Sequence, residues 1–193
     1  MMLRSFIAIE IPAEIQNAIA DNIASLKKTL PKPLIRWVAP QNVHLTLKFL
    51  GDVSPANLQR MAGSLQVEAV SHEMFSMSIG GLGAFPTQRR ARLIWIGLEA
   101  PPALAALQHA LDSATAQLGF PREERPFSPH LTVGRVAQTA SASDLQHIRS
   151  ALESTKVGIL GTVHVQAIHI FKSDLQPGGS VYTPLYALSM KST

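Results

Sequence analysis

The sequence predicts an α+β protein in which two sheet-and-helix lobes surround a shared cleft. Its 193 residues, 46% of them hydrophobic and 16% charged, suit one globular domain. Strand-like and helix-like segments alternate along the chain, and the two halves repeat the same series of segments. Because no glycine-rich phosphate loop follows a strand, the pattern does not favour a dinucleotide-binding parallel sheet.

The first half begins with a β-rich run over residues 3–11, and Pro12 opens a helical pattern. The apolar residues of that helix recur on one stripe, and Pro31 and Pro33 predict its end. NVHLTLKFLG then alternates apolar and polar residues in the manner of a strand. A helix over 55–70, capped by Ser54, leads to a further strand, FSMSIGGLGAF.

The second half starts at the strand ARLIWIGL, and a helix follows from Pro101 and Pro102 to Leu118. After the polar loop REERPFSP come the strand HLTVGRV and a helix over 143–153. TVHVQAIHIF and VYTPLYALSM are each expected to form one final strand.

The same spacing in both halves suggests a duplicated unit. Phe6 and His44 are 38 residues apart, and Ile94 and His130 are 36 apart. Chance alternation of helices and strands is the competing explanation. We expect one bilobal domain over 1–193, with duplicated halves of roughly 1–88 and 89–193.

Composition excludes several classes of site. The chain has no cysteine, so it holds no disulfide, thiolate zinc site, iron–sulfur cluster or cysteine nucleophile. Its net charge of +4 is compatible with a phosphorylated ligand but too mild for polybasic binding. Neither a signal peptide nor a membrane-spanning segment is apparent, so we expect a soluble, cytoplasmic protein without a membrane partner.

The most informative residues are two quartets, His44-Leu45-Thr46-Leu47 and His130-Leu131-Thr132-Val133. From the composition, about 0.08 such quartets are expected by chance. On a strand, residues i and i+2 share a face about 6.6 Å apart, so each quartet presents an imidazole and a hydroxyl together. Two imidazoles on either side of a ligand could act as acid and base at phosphorus, while the hydroxyls bind its oxygens.

The quartets have two competing interpretations. A single strand histidine is usually solvated or hydrogen-bonded in a core, but two matching quartets are harder to explain in this way. A metal site is disfavoured because threonine is a poor ligand and neither quartet contains a carboxylate.

Charged residues near the quartets have alternative interpretations. Arg135 would face away from His130 on an ideal strand, but Gly134 permits a bulge that could turn it toward the cleft to bind phosphate. An exposed strand-end arginine is the alternative. Lys48 is interpreted as a solvated strand-end lysine, with a contribution to the positive field as the alternative.

Arg89, Arg90 and Arg92 are expected to form a solvated turn, with steering of an RNA backbone as the lesser alternative. Tyr182 and Phe6 could each stack on a base, although core packing is equally compatible with Phe6.

With these residues in place, the chain resembles a known family. HLTLKFLG and PFSPHLTVGR are similar to the paired signature of the two-histidine (2H) phosphoesterases. The nearest resemblance is to the bacterial and archaeal RNA 2′,3′-cyclic phosphodiesterases, also called LigT-like or 2′-5′ RNA ligase proteins. LRSFIAIEIP, GAFPTQRRARLIWIGL and FKSDLQPGGSVYTPL extend the resemblance over nearly the whole chain.

The resemblance implies a bilobal α+β fold and a metal-independent, cofactor-free opening of a terminal RNA 2′,3′-cyclic phosphate to a 2′-phosphate. It implies that His44 is the proton donor and His130 the proton acceptor, and that Thr46, Thr132 and Arg135 bind the phosphate. The partner would be RNA or a nucleotide ending in that cyclic phosphate, and the protein is expected to be a monomer. Ligation of cyclic-phosphate and 5′-hydroxyl RNA ends, or RNA-end binding without turnover, remain the alternatives.

Overall fold

A computed structural model describes residues 1–30, 34–177 and 179–192. The first half contains β1 (Leu3–Glu10), α1 (Ala13–Thr29), β2 (Ile35–Trp37), β3 (His44–Val53), α2 (Pro55–Ala69) and β4 (Phe75–Phe85). The second half contains β5 (Leu93–Glu99), α3 (Pro102–Gln117), β6 (Leu131–Val136), α4 (Ala142–Ser154), β7 (Ile159–Val165), β8 (Ala167–Gln176) and β9 (Gly179–Ser189). Short 3₁₀ turns lie at Pro40–Asn42 and Gln88–Arg90.

The helices form where the sequence predicts them. α1 buries its apolar stripe of Ile15, Ile19, Ile23 and Leu26. Its end at Thr29 precedes Pro31 and Pro33, which lie outside the described residues. The Ser54 hydroxyl accepts a hydrogen bond from the Asn57 amide and so caps α2.

Within the described ranges the strands form one continuous sheet, in the order β7-β4-β5-β6-β3-β1-β8-β9, with β2 also paired to β6. All the pairings are antiparallel. The sheet curls into a half-barrel, and the bilobal α+β fold class is confirmed.

The two lobes meet at a narrow joint between β3 and β6. These strands share a single residue pair, Leu45 with Leu131. Beyond that pair, β2 pairs with residues 134–136 of β6 in place of β3. Each lobe contains two strands from the other half of the chain, because β2 and β4 pair with β6 and β5, and β8 and β9 extend the sheet beyond β1. The division into halves at residue 88 therefore does not coincide with the division of the sheet, and the duplication itself stays a prediction.

One sequence prediction of strand boundaries is wrong. TVHVQAIHIF was expected to form a single strand, but it divides at Gln166 into parts of β7 and β8. β7 pairs with β4 at one end of the sheet, whereas β8 pairs with β1 in the other lobe. The run divides because its two parts pair with strands in different lobes, and the alternation of apolar and polar residues along the run does not indicate this.

The two faces of the sheet are packed differently. One face, with all four helices, encloses the main core, which includes Ile7, Ile9, Leu45 and Leu131. The opposite face carries a small cluster of Phe6, Ala8 and Phe171, with Tyr182 packed against it. Successive side chains of β1 alternate between these two clusters, so the aromatic rings of the small cluster lie beside the joint between the lobes.

Candidate active site

The first quartet begins β3, and the second consists of His130, just before β6, and the first three residues of that neighbouring strand. Leu45 and Leu131 face each other and are fully buried in the main core. Residues opposite each other on antiparallel strands share a face. Extending this register by one residue in each direction sets His44 beside Thr132 and Thr46 beside His130. Both imidazoles and both hydroxyl groups are therefore carried on the face away from the helices.

The two histidines are held by the same local hydrogen bond. Nδ1 of His44 lies 2.7 Å from the Asn42 carbonyl oxygen, and Nδ1 of His130 lies 2.7 Å from the Ser128 carbonyl oxygen. Because a carbonyl only accepts, each Nδ1 must carry the proton and donate it. Each Nε2 is then the atom available for proton exchange with a ligand.

The surroundings of the two rings differ. His44 stacks on Phe6 with ring centroids 4.7 Å apart and meets Tyr182 edge-on at 5.1 Å. Burial lowers the pKa of His44 below its ordinary value of 6.5, and the hydrogen bond to Asn42 opposes part of that change. His130 meets the edge of Phe85 at 5.0 Å. Phe6 is buried and thus supports the His44 ring by packing against it.

Both quartets end in a β-bulge. Against β1, Thr46 pairs with Ala8 and Lys48 with Ile7, so Leu47 is the extra residue. Against β5, Thr132 pairs with Trp95 and Gly134 with Ile94, so Val133 is the extra residue. After each bulge, the side chains alternate between the two faces of the sheet in the reverse order. The two lobes therefore share this bulge as well as the His-x-Thr sequence pattern.

The bulge in β6 brings Arg135 to the cleft. Val133 and Gly134 are both buried, and Arg135 is exposed. A side chain on Gly134 would meet Ile35 Cγ2 at 2.7 Å, so the close approach of β2 requires glycine here. The contact of Arg135 with phosphate stays a prediction.

The bulge in β3 overturns the expectation for Lys48. Its side chain is only 1% exposed and forms an ion pair with Asp112 on α3. Nζ also donates to the Pro121 carbonyl oxygen at 2.7 Å, and Asp112 accepts a hydrogen bond from the Glu123 amide at 3.2 Å. Desolvation alone would raise the pKa of Asp112, but the bonds from Lys48 and Glu123 hold it below its ordinary value.

A cavity of about 620 Å³ lies on the quartet face. Its walls include four of the five predicted site residues, namely His44, Thr46, Thr132 and Arg135. His130 is not among the lining residues of this cavity, and the register sets it beside Thr46 at the joint. Tyr182 also lines the cavity, and its contact with a base stays a prediction.

The cavity also contains residues that sequence reasoning missed. Arg4, Arg36 and Phe49 line it. Phe49 follows the bulge in β3 as Arg135 follows the bulge in β6, and it is 63% exposed. Both arginines were visible in the sequence, but nothing local indicated which face of a strand they occupy.

The described residues contain no group of three histidine, aspartate or glutamate side chains placed to hold a metal ion. In the same part of the chain, no helix is long and apolar enough to cross a membrane.

Comparisons with known proteins identify the family of the chain. The family model described as LigT like Phosphoesterase matches the chain twice, over residues 9–95 and 96–182. The RNA 2′,3′-cyclic phosphodiesterase of Methanothermobacter thermautotrophicus is 33% identical over 187 residues, covering 96% of this chain and 97% of that protein. The enzyme of the same name from Escherichia coli is 31% identical, covering 94% and 93%.

Solved structures give the same result. Escherichia coli LigT complexed with 3′-AMP superposes with a TM-score of 0.73 and 28% identity, covering 98% of this chain and 99% of that one. TT0787 of Thermus thermophilus superposes with a TM-score of 0.77 and 26% identity, covering 98% of each chain. Fold and site together define a bilobal phosphoesterase with paired His-x-Thr strands. The chain belongs to the LigT-like family of 2H phosphoesterases.

Proposed function

We propose that this enzyme hydrolyses the terminal 2′,3′-cyclic phosphate of RNA to a 2′-phosphate, with His44 as general acid and His130 as general base. The observation that carries the proposal is the matched pair of quartets on adjoining strands, each with its histidine Nδ1 bonded to the carbonyl two residues earlier. The names of the similar proteins support RNA cyclic phosphates as the substrate.

The reaction follows from the two Nε2 atoms. Neutral His130 takes a proton from water at Nε2 as the water oxygen forms a bond to phosphorus. The bond between phosphorus and O3′ breaks, and Nε2 of protonated His44 delivers its proton to O3′. The hydroxyls of Thr46 and Thr132 and the guanidinium of Arg135 bind the non-bridging oxygens, whose negative charge grows in the transition state. The phosphate remains on O2′.

Because burial lowers the pKa of His44, a bound ligand must keep the ring protonated if it is to act as the general acid. A lowered pKa favours the neutral ring in the free enzyme, so the proton must be retained by the charge of the bound phosphodiester. We therefore expect proton uptake by His44 to accompany substrate binding. The two imidazoles supply both proton transfers, so we propose that the reaction needs no metal and that activity persists in EDTA.

The first test measures hydrolysis of a nucleoside 2′,3′-cyclic phosphate, with the product identified as 2′- or 3′-phosphate. His44→Ala and His130→Ala should each lower kcat by about 10²- to 10⁴-fold, the usual contribution of a positioned acid or base. His147→Ala, at an exposed histidine on α4, is the matched control. Near-normal turnover by either active-site variant would refute the proposal.

A second substrate separates the two roles. Sulfur in place of O3′ leaves as a thiolate and needs little protonation. His44→Ala should recover most of its activity on this substrate, whereas His130→Ala should remain inactive. Recovery by His130→Ala instead would reverse the assignment.

We also propose that the protein works in the cytoplasm. We propose that it is a monomer, because one chain supplies both quartets and the cavity beside them. Light scattering at assay concentration tests the monomer. Tight binding of cyclic-phosphate RNA without product would favour an RNA-end binding module instead.

A further inference from the structure

Three arginines form a row beside the cavity. Arg36 on β2 lies directly opposite Arg135 on β6, and Arg135 in turn lies opposite Leu93 on β5, next to Arg92. Arg36 and Arg135 line the main cavity, whereas Arg92 and Arg135 line a second, more open cavity with Val136 and Gln138. Arg135 therefore joins the two cavities.

Among the described residues, no acidic side chain pairs with this row. No carboxylate lies within ion-pair distance of Arg36, Arg92 or Arg135 across the described ranges. Within the same ranges, the one hydrogen bond from their side chains runs from Arg92 Nη1 to the Ala137 carbonyl oxygen at 3.2 Å. Like charges directly opposite on neighbouring strands destabilise a sheet. An anionic ligand that binds across the row would remove this repulsion.

The shape of the row indicates the ligand. A compact phosphate held between His44 and His130 could use Arg135, but it leaves Arg36 and Arg92 without a function. Neighbouring strands lie about 4.8 Å apart, so the row crosses about 10 Å of surface from Arg36 on β2, past Arg135 on β6, to Arg92 just before β5. A polyanion with regularly spaced phosphates matches that length, and the backbone of a single-stranded RNA has such phosphates.

We propose that the Arg36–Arg135–Arg92 row binds the phosphodiesters on the 5′ side of the terminal nucleotide and makes an RNA chain a better substrate than a mononucleotide. This inference rests on the proposed function for the position of the RNA 3′ end. The exposed Arg89 and Arg90 lie in the turn just before Arg92, where they would extend the same path.

The test compares kcat/KM for a nucleoside 2′,3′-cyclic phosphate with kcat/KM for a ten-nucleotide RNA ending in the same group. For Arg92→Ala, the ratio of the RNA value to the mononucleotide value should fall about tenfold, as expected for one lost charge-assisted contact. Arg36→Ala should behave in the same way. Arg60→Ala is the matched control, because Arg60 is an exposed arginine on α2 bonded to Asn57.

Salt dependence provides a second readout. Each lost contact to a single-strand phosphate should reduce the slope of log affinity against log salt by about 0.7. The slope is measured by fluorescence anisotropy with the same RNA ending in a 2′-phosphate, so it needs no turnover. An unchanged ratio and slope in the Arg36→Ala/Arg92→Ala variant would overturn the proposal. Failure of the wild type to hydrolyse either substrate would instead refute the proposed function, and the anisotropy slope would still decide this inference.

Discussion

Replacing Lys48 by methionine would test the buried ion pair between β3 and α3, near the candidate active site. The change keeps most of the side-chain volume but removes the ammonium that binds Asp112 and the Pro121 carbonyl. The Asp112 side chain is only 10% exposed, so its carboxylate would remain desolvated without its strongest partner.

The size of the effect follows from what remains. Removing one partner of a buried ion pair costs about 3 to 5 kcal/mol. Asp112 would still accept the Glu123 amide hydrogen bond and feel the charge of Arg122. We therefore expect the lower end of that range, about 3 kcal/mol, in the free energy of unfolding.

The stability lost in Lys48→Met should depend on pH in a definite direction. In the wild type the folded-state pKa of Asp112 is lowered, so its stabilising contribution is present above the ordinary value of 3.8 and lost as pH falls through the folded value. In Lys48→Met the desolvation of Asp112 is no longer opposed by Lys48, so its pKa rises and the carboxyl takes up a proton at a higher pH than in the wild type. Once protonated, Asp112 needs no counterion. The difference in stability between Lys48→Met and the wild type should therefore shrink as pH falls from 7 toward 4.

Urea unfolding followed by circular dichroism at several pH values measures both quantities. The control is Lys48→Met/Asp112→Leu, which removes both charges and should recover much of the lost stability. A loss below about 1 kcal/mol at pH 7 would contradict the reasoning, since it falls within the range of exposed pairs. A loss that does not vary with pH would contradict it as well.

Further predictions concern the cleft. Gly134→Ala should cost about 1 to 3 kcal/mol, because its methyl group meets Ile35 at 2.7 Å, and the loss should be seen in urea unfolding. Stability equal to the wild type would show that β2 moves freely. Proton NMR should place the His44 pKa below 6.5 in the free protein and higher with inorganic phosphate bound. With that depressed folded value, the contribution of His44 to stability is present above pH 6.5 and lost as pH falls. A pKa that phosphate leaves unchanged would count against His44 as the acid. In Phe6→Leu the stacked ring is lost, so the NMR shift of His44 should move while that of His130 stays.

Much of the site was readable from local patterns. The alternation His-apolar-Thr-apolar is a property of each strand by itself, and it predicted which side chains share a face. Leu45 and Leu131 in the core, with His44, Thr46 and Thr132 on the opposite face, follow from that rule. Gly134 before Arg135 also indicated where a strand could bulge.

Other features depended on partners far away in the chain. The bulge at Leu47 reverses the face of Lys48, and no glycine in the sequence indicates it. The Leu47 carbonyl oxygen accepts a hydrogen bond from the side chain of Gln108, 61 residues later. A strand that reads as one run divides at Gln166 because its two parts pair with β4 and β1.

The amino-acid sequence determined by itself the paired His-x-Thr strands, the helices, the absence of cysteine chemistry and the residues that we propose to bind a phosphate. Only the tertiary structure decided that Lys48 is a core residue, that each lobe contains two strands from the other half, and that Arg36 lies opposite Arg135. Periodicity records the face that a residue occupies within its own segment. Strand register depends on hydrogen bonds between segments that are distant in the chain, so a one-residue shift can change the face without leaving a local trace.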